Sequence, residues 1–307
     1  MSLYQGDKAL SQSYKHANKH ASGGSDPITP ESIGAAPASF KPAGKSYLTF
    51  SSPNSFTLAV GDTTKHWDGT LEYFAADKTW TTWDGTITLS SVDNDGEYVL
   101  YLRGTGNTVI GYRNVAADTY APLVINGTDV RCNGNIETLL DYATVEAGEH
   151  PAMVAECFSG LFIGCTALTV APALPATALA SNCYRRMFYG CTSLAQAPDL
   201  PATVLANKCY DGMFQNCTGL KLSTTQTGEY TQEHRIPTTE TGTTATNALI
   251  DMFTSTGGTF TGTPEINTTY YLSSDNMIVR ETEIATLNGY VGSMIDAAIG
   301  NAIGGSY

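Results

Sequence analysis

Positive charge is scarce in this chain. Its 16 Lys and Arg face 29 Asp and Glu, a formal net charge of −13. So acidic a protein repels phosphate backbones, which excludes nucleic acid as a partner. Charge of either sign is thin, at 15% of residues, while Gly, Thr, Ser and Asn are plentiful. That balance favours turn-rich, strand-rich or repeated architectures over a helical bundle. Long apolar runs are missing too. Nowhere do about 18 apolar residues follow one another, so no membrane insertion is expected. The opening MSLYQGDKALSQSYKHANKHASGG has no apolar h-region, which predicts a chain made in the cytoplasm without a secretory leader. No Gly-x-Ser-x-Gly nucleophile motif occurs, and the acidic residues are scattered, as in Asp68, Asp84 and Asp95, where glycoside hydrolysis needs paired carboxylates. No catalytic residue, metal or cofactor is therefore nominated, and no enzyme activity is expected.

What is present is a repeat. Cys157, Cys183 and Cys209 are 26 residues apart, and so are Cys165, Cys191 and Cys217. The units read CFSGLFIGCTAL, CYRRMFYGCTSL and CYDGMFQNCTGL, joined by APALPATALASN and APDLPATVLANK. Alike in all three are the cysteines, an aromatic at Phe158, Tyr184 and Tyr210, the phenylalanines Phe162, Phe188 and Phe214, and the leucines Leu168, Leu194 and Leu220. No unit can bury its apolar side alone, so stacking of units into one core is expected. Positions that vary, among them Arg185, Arg186, Tyr189, Asp211 and Gln215, read as an outward face. They are candidate receptor-binding residues, and Arg185→Asp with Arg186→Asp, or Tyr189→Ala, should leave folding intact. For the cysteines, small buried side chains fit such a stack. Zinc sites use closely spaced Cys pairs or His partners, which the Cys-x7-Cys spacing lacks; disulfides within units need bonding distance. An odd total of seven cysteines favours free thiols.

Phe188-Tyr189-Gly190-Cys191-Thr192-Ser193-Leu194, with Leu-Pro-Ala-Thr at 174–177 and 200–203, resembles the BspA-type leucine-rich repeats. The resemblance covers about residues 150–225. It implies a short right-handed solenoid used in surface adhesion, with one short strand per unit near Leu168–Leu174 and Leu194–Leu200. The Ala-Pro before each Leu-Pro predicts short, irregular pairing. After Leu222 the pattern fades, and Ala248–Phe253 keeps only the Met-Phe. Residues 226–280 are expected to form an atypical unit that closes the core, with strands at Tyr270–Leu272 and Met277–Val279.

Before the repeat, residues 45–131 alternate in polarity. Phe56, Leu58 and Val60 share one face, Tyr98, Leu100 and Leu102 another, and Ile87 with Leu89 a third. Asp-Gly or Asn-Gly pairs at Asp68, Asp84, Asp95 and Asn126 sit between these runs, as tight hairpins require. A small antiparallel β-sandwich is expected, with a short helix over Ile136–Tyr142. Trp67, Trp80 and Trp83 are either a flat aromatic surface for sugar or hairpin core.

Polar residues His16–Pro37 predict a flexible arm. Gly23-Gly24-Ser25-Asp26-Pro27 and Thr29-Pro30-Glu31-Ser32-Ile33-Gly34-Ala35 resemble the attachment regions of phage tail-fibre proteins. His16 and His20 share a helical face but lack a third ligand. At the other end Ile284, Leu287, Val291, Met294 and Ala298 follow helical spacing, suited to pairing between subunits or to packing on the solenoid.

The expected fold is mainly β with some α: an arm (1–44), a β-sandwich (45–131), leucine-rich repeats (132–225), a degenerate cap (226–280) and a C-terminal helix (281–307). The resemblances imply a virion adhesion protein, a phage tail fibre or receptor-binding protein, assembled as a homotrimer. Its arm would meet tail or baseplate proteins, and its repeats or β domain a host cell-surface glycan or protein. A cellular BspA-type adhesin and a fibre-borne polysaccharide depolymerase are the alternatives.

Overall fold

The computed structural model describes residues 40–44, 46–61, 67–114, 119–237 and 247–274. The expected arm up to residue 39, the strand at 277–279 and the helix over 281–307 lie outside the described residues. The described chain is mainly β, with several sheets and a single helix.

Alternation over the first segment yields two antiparallel sheets. In the larger, β1 (Leu48–Ser52) lies between β11 (Val130–Asn133) and β7 (Glu97–Thr105). β3 (Thr70–Phe74) and β4 (Trp80–Trp83) follow on the far side of β7, which also pairs with β6 (Val92–Asn94). The smaller sheet joins β10 (Leu123–Asn126), β2 (Thr57–Val60) and β5 (Leu89–Ser90). Leu48 faces Leu102 and Phe50 faces Leu100 across β1 and β7, and all four point into the core shared with Leu58 and Ile125. Tyr101 and Val99, one residue out of phase, meet Phe40, Tyr47 and Phe74 on the opposite face. The third expected face is half right: Leu89 is buried, but Ile87 precedes the strand and is 53% exposed. Asp95 and Gly96 both adopt positive φ (59° and 87°) in the two-residue turn from β6 to β7, the geometry that Asp-Gly favours.

Helix α1 (Thr138–Glu146) rests on β7. The approach is so close that a Cβ on Gly104 would overlap the Leu139 carbonyl. Asp141 interrupts the helix with extended backbone, and its carboxylate accepts from the Thr144 amide (3.1 Å) and hydroxyl (2.6 Å). An Asp that caps the next turn in this way competes with helix continuation.

The three cysteine-bearing units stack in register. Amides of Phe158, Gly160, Phe162 and Gly164 donate to carbonyls of Cys183, Arg185, Met187 and Tyr189, each at 2.8–2.9 Å. Tyr184, Arg186, Phe188 and Gly190 donate in the same way to Cys209, Asp211, Met213 and Gln215. Tyr210, Gly212, Phe214 and Asn216 continue to Ala248, Ile250, Met252 and Thr254, so the cysteine-free segment forms a fourth rung. Between these donors, alternate amides close tight turns within each unit, such as Ser159 to Glu156 and Ile163 to Gly160. The backbone turns left-handed at every fourth residue: Glu156, Gly160 and Gly164, then Asn182, Arg186 and Gly190, and so on to Asn247, Asp251 and Ser255.

This geometry aligns the aromatic side chains into columns. Phe162, Phe188, Phe214 and Phe253 lie 5.5–5.6 Å apart and within 4° of parallel. Phe158, Tyr184 and Tyr210 form a second column at 5.8–5.9 Å. Phe50 of β1 meets Phe162 edge-on at one end of the first column. At the other end Phe253 packs against His234, Phe260 and Tyr270. Those residues belong to the closing sheet, β14 (Tyr230–Arg235), β16 (Thr269–Ser273), β13 (Lys221–Ser223) and β15 (Gly257–Gly258), and its flanks.

Pairing on the Ala-Pro side is sparse, as the prolines predict. β12 (Leu168–Val170) runs parallel to β11, single bridges such as Val170 to Gln196 and Ala178 to Val204 follow, and β13 pairs in parallel with β15 over two residues further along. Through β12 the first unit extends the larger sheet. The boundary expected at 131/132 falls inside β11, and one buried apolar cluster runs from Leu48 to Leu272.

Candidate functional site

The residues singled out on the turn side of the stack divide into two groups. Arg185 and Asp211 are not outward. They are 7% and 8% exposed, Arg185 Nε donates to Asp211 Oδ2 at 3.1 Å, and Arg185 Nη1 donates to the Tyr120 hydroxyl at 2.7 Å. Tyr120 belongs to the hairpin of β8 (Tyr112–Asn114) and β9 (Thr119–Ala121), which covers this side. Its ring lies where a Cβ on Gly160 would be. The column Ser159, Arg185, Asp211 therefore varies because its members complement one another, not because solvent tolerates anything there.

Arg186, Tyr189 and Gln215 are half-exposed and adjacent. The Arg186 guanidinium lies 5.8 Å from the Tyr189 ring centre, and the Arg186 and Gln215 side chains both flank Gly212. Arg186 stands at a left-handed position (φ 51°) that Gly160 and Gly212 hold in the neighbouring units. That column is limited by backbone conformation as well as by exposure.

The tryptophans do not form one platform. Trp80 and Trp83 are three residues apart on β4, which places them on opposite faces. Trp83 is 1% exposed, donates its indole N–H to the Ile87 carbonyl at 2.9 Å and packs 5.4 Å from Trp67. Trp80 instead lies against Phe74 and carries Arg103 over its ring at 4.2 Å. Tyr142 meets the same guanidinium at 4.1 Å, and Glu72 pairs with it at 2.8 Å. Trp83 is core, so a sugar surface made by all three is ruled out.

On the Ala-Pro side the stack carries an open groove of about 610 Å³ that reading the sequence did not nominate. Its floor is the paired segments Val170–Pro175 and Gln196–Pro201, one unit apart. Asn133 and Gly134 at the end of β11 bound one side, and Gln232 of β14 the other. Gln196 and Asp199 stand where the first unit has Val170 and Ala173. That contrast between otherwise matching linkers was the available signal.

All seven cysteines are buried free thiols. Burial pushes Cys157, Cys165, Cys209 and Cys217 up to about 12 and raises Cys132, Cys183 and Cys191 well above the usual thiol range. The second cysteine of each unit also has a partner. Cys165, Cys191 and Cys217 donate S–H to the carbonyls of Leu123, Phe162 and Phe188, each at 3.0 Å. Among the described residues no group of three or more His, Cys, Asp or Glu is placed to hold a metal. Burial pushes His234 down to about 4, against the pull of the Asp199 charge.

No protein-family model matches the chain, and no curated protein or solved structure matches it either.

Proposed function

We propose that this protein is a non-enzymatic adhesion subunit of a phage tail, a tail fibre or receptor-binding protein that recognises a bacterial surface. The carrying observation is the stack itself. Buried positions repeat from rung to rung while Arg186, Tyr189, Gln215, Gln196 and Asp199 differ at exposed or half-exposed positions. A constant core presenting a changing exterior is how repeat proteins build recognition surfaces. In this reading the rungs form a short solenoid of the BspA type, the β segment spaces it from the particle, and the arm at 1–44 attaches it. The resemblance of that arm to tail-fibre attachment regions favours a virion over a cellular adhesin. The carboxylates of Asp68, Asp84 and Asp141 favour a scaffold over a hydrolase, since hydrogen bonds in turns hold each below the usual range. A general acid needs its pKa raised.

Cosedimentation of the purified chain with a panel of bacteria tests the reading. Saturable binding to some strains and no release of reducing ends from their surface polysaccharides is expected. Release of reducing ends would replace adhesion with depolymerisation.

A further inference from the structure

Resting on the adhesion reading, we propose that the Ala-Pro groove is the ligand site and that its ligand is a short stretch of neutral polysaccharide. The prolines exclude an added peptide strand. Pro172, Pro175, Pro198 and Pro201 line the groove and have no N–H, so an extended peptide would find no regular row of backbone donors. Recognition must come from side chains.

Those side chains are amides and one carboxylate. Gln196 and Gln232 both line the groove, and Asp199 lies in sequence between the lining prolines Pro198 and Pro201. None of the three makes a side-chain hydrogen bond to a described residue, whereas Asp68, Asp77, Asp84, Asp93 and Asp141 are all committed to neighbouring turns. An amide both donates and accepts, and so does a sugar hydroxyl. A carboxylate accepts from two adjacent hydroxyls. Flat proline rings suit the C–H faces of a pyranose.

Charge selects among glycans. No Lys or Arg lines the groove. His234, buried and within reach of the Asp199 charge, is neutral above about pH 4 and supplies no cation. With Asp199 in the groove and −13 on the whole chain, an acidic or phosphorylated polymer is repelled. The volume of about 610 Å³ lies within the range of pockets that take drug-sized ligands, room for two or three sugar residues.

The test uses the full-length chain, a printed array of neutral and acidic bacterial oligosaccharides, and the cell panel. Gln196→Ala with Gln232→Ala should weaken binding to a neutral oligosaccharide by roughly tenfold or more, with unchanged melting temperature, since each lost hydrogen bond is worth about fivefold. Ser193→Ala, at an exposed position outside the groove, should leave that binding within about twofold. Asp199→Lys should lower neutral binding and admit acidic oligosaccharides. If cells are bound but groove variants bind them as the parent does, adhesion stands and the groove is overturned. Preference of the parent for acidic glycans overturns it too. If neither cells nor glycans are bound, the adhesion reading falls and the groove proposal with it.

Discussion

Phe188 is the ring on which the stack depends most. It is fully buried, with Phe162 at 5.6 Å on one side and Phe214 at 5.5 Å on the other. Phe188→Ala forfeits about 1.5–3 kcal/mol of transfer free energy. The cavity adds to this at about 24 cal/mol per Å³, and a void of roughly 100 Å³ that failed to close would add about 2 kcal/mol. Closure is resisted, because ladder bonds from Phe162 to Met187 and from Phe188 to Met213 fix the spacing of the neighbouring rungs. The loss should therefore fall in the upper part of the usual range, about 4–5 kcal/mol. Position matters as well as size. A central rung couples the part of the stack held by Phe50 to the part closed by Phe253, so its loss should also weaken cooperativity. In urea melts followed by fluorescence and circular dichroism, the midpoint should fall, the transition should broaden, and the two probes should separate. Phe188→Leu should lose far less. A Phe188→Ala midpoint within about 0.5 kcal/mol of the parent would refute the stacked core.

Other perturbations separate the two groups on the turn side. Arg185→Ala leaves Asp211 buried without its cation and should cost about 3–5 kcal/mol in the same melts, whereas Tyr189→Ala should stay within about 1 kcal/mol. Arg185→Asp would set two carboxylates together, so the sequence-based expectation that it leaves folding intact is reversed. Arg186→Gly should raise the melting temperature slightly, because a left-handed non-glycine residue costs about 1–2 kcal/mol and glycine returns about 1 kcal/mol of that through chain entropy; a fall of several degrees would refute the strain argument. His234 is depressed to about 4 in the fold against about 6.5 when unfolded. Between these values the unfolded chain holds a proton that the folded chain does not, so stability is full above about pH 6.5. It should fall by roughly 3 kcal/mol as pH drops to about 4, and His234→Phe should flatten that slope. A thiol reagent should find almost no reactive cysteine in the native protein and seven after denaturation; fewer than seven would reveal bridges.

Much of the fold was legible because periodicity is a direct record of packing. The 26-residue spacing identified the columns of Cys, Phe and Leu, and the weak Met-Phe match located the fourth rung. Two things escaped. Variation between units reads as exposure, yet Arg185 varies with Asp211 because the two pair, and Tyr120, 65 residues earlier in sequence, covers them. Such long-range complementarity leaves no periodic trace. By spacing alone the cysteines are small apolar fillers, and the S–H bonds of Cys191 and Cys217 to the preceding rung show only in the stack. Thr256 occupies the corresponding place in the fourth rung but donates its hydroxyl within that rung, to the Phe253 carbonyl at 2.8 Å. The groove was partly legible, since Gln196 and Asp199 interrupt linkers that otherwise match. What hid it was that Asn133 and Gln232 come from strands outside the repeat.

The most direct test of the account is immunogold electron microscopy with an antibody to this chain, applied to purified phage particles and to the cells that produce them. Label at the tail or baseplate of the particles is the expected result. Label confined to the surface of cells, with none on particles, would contradict it.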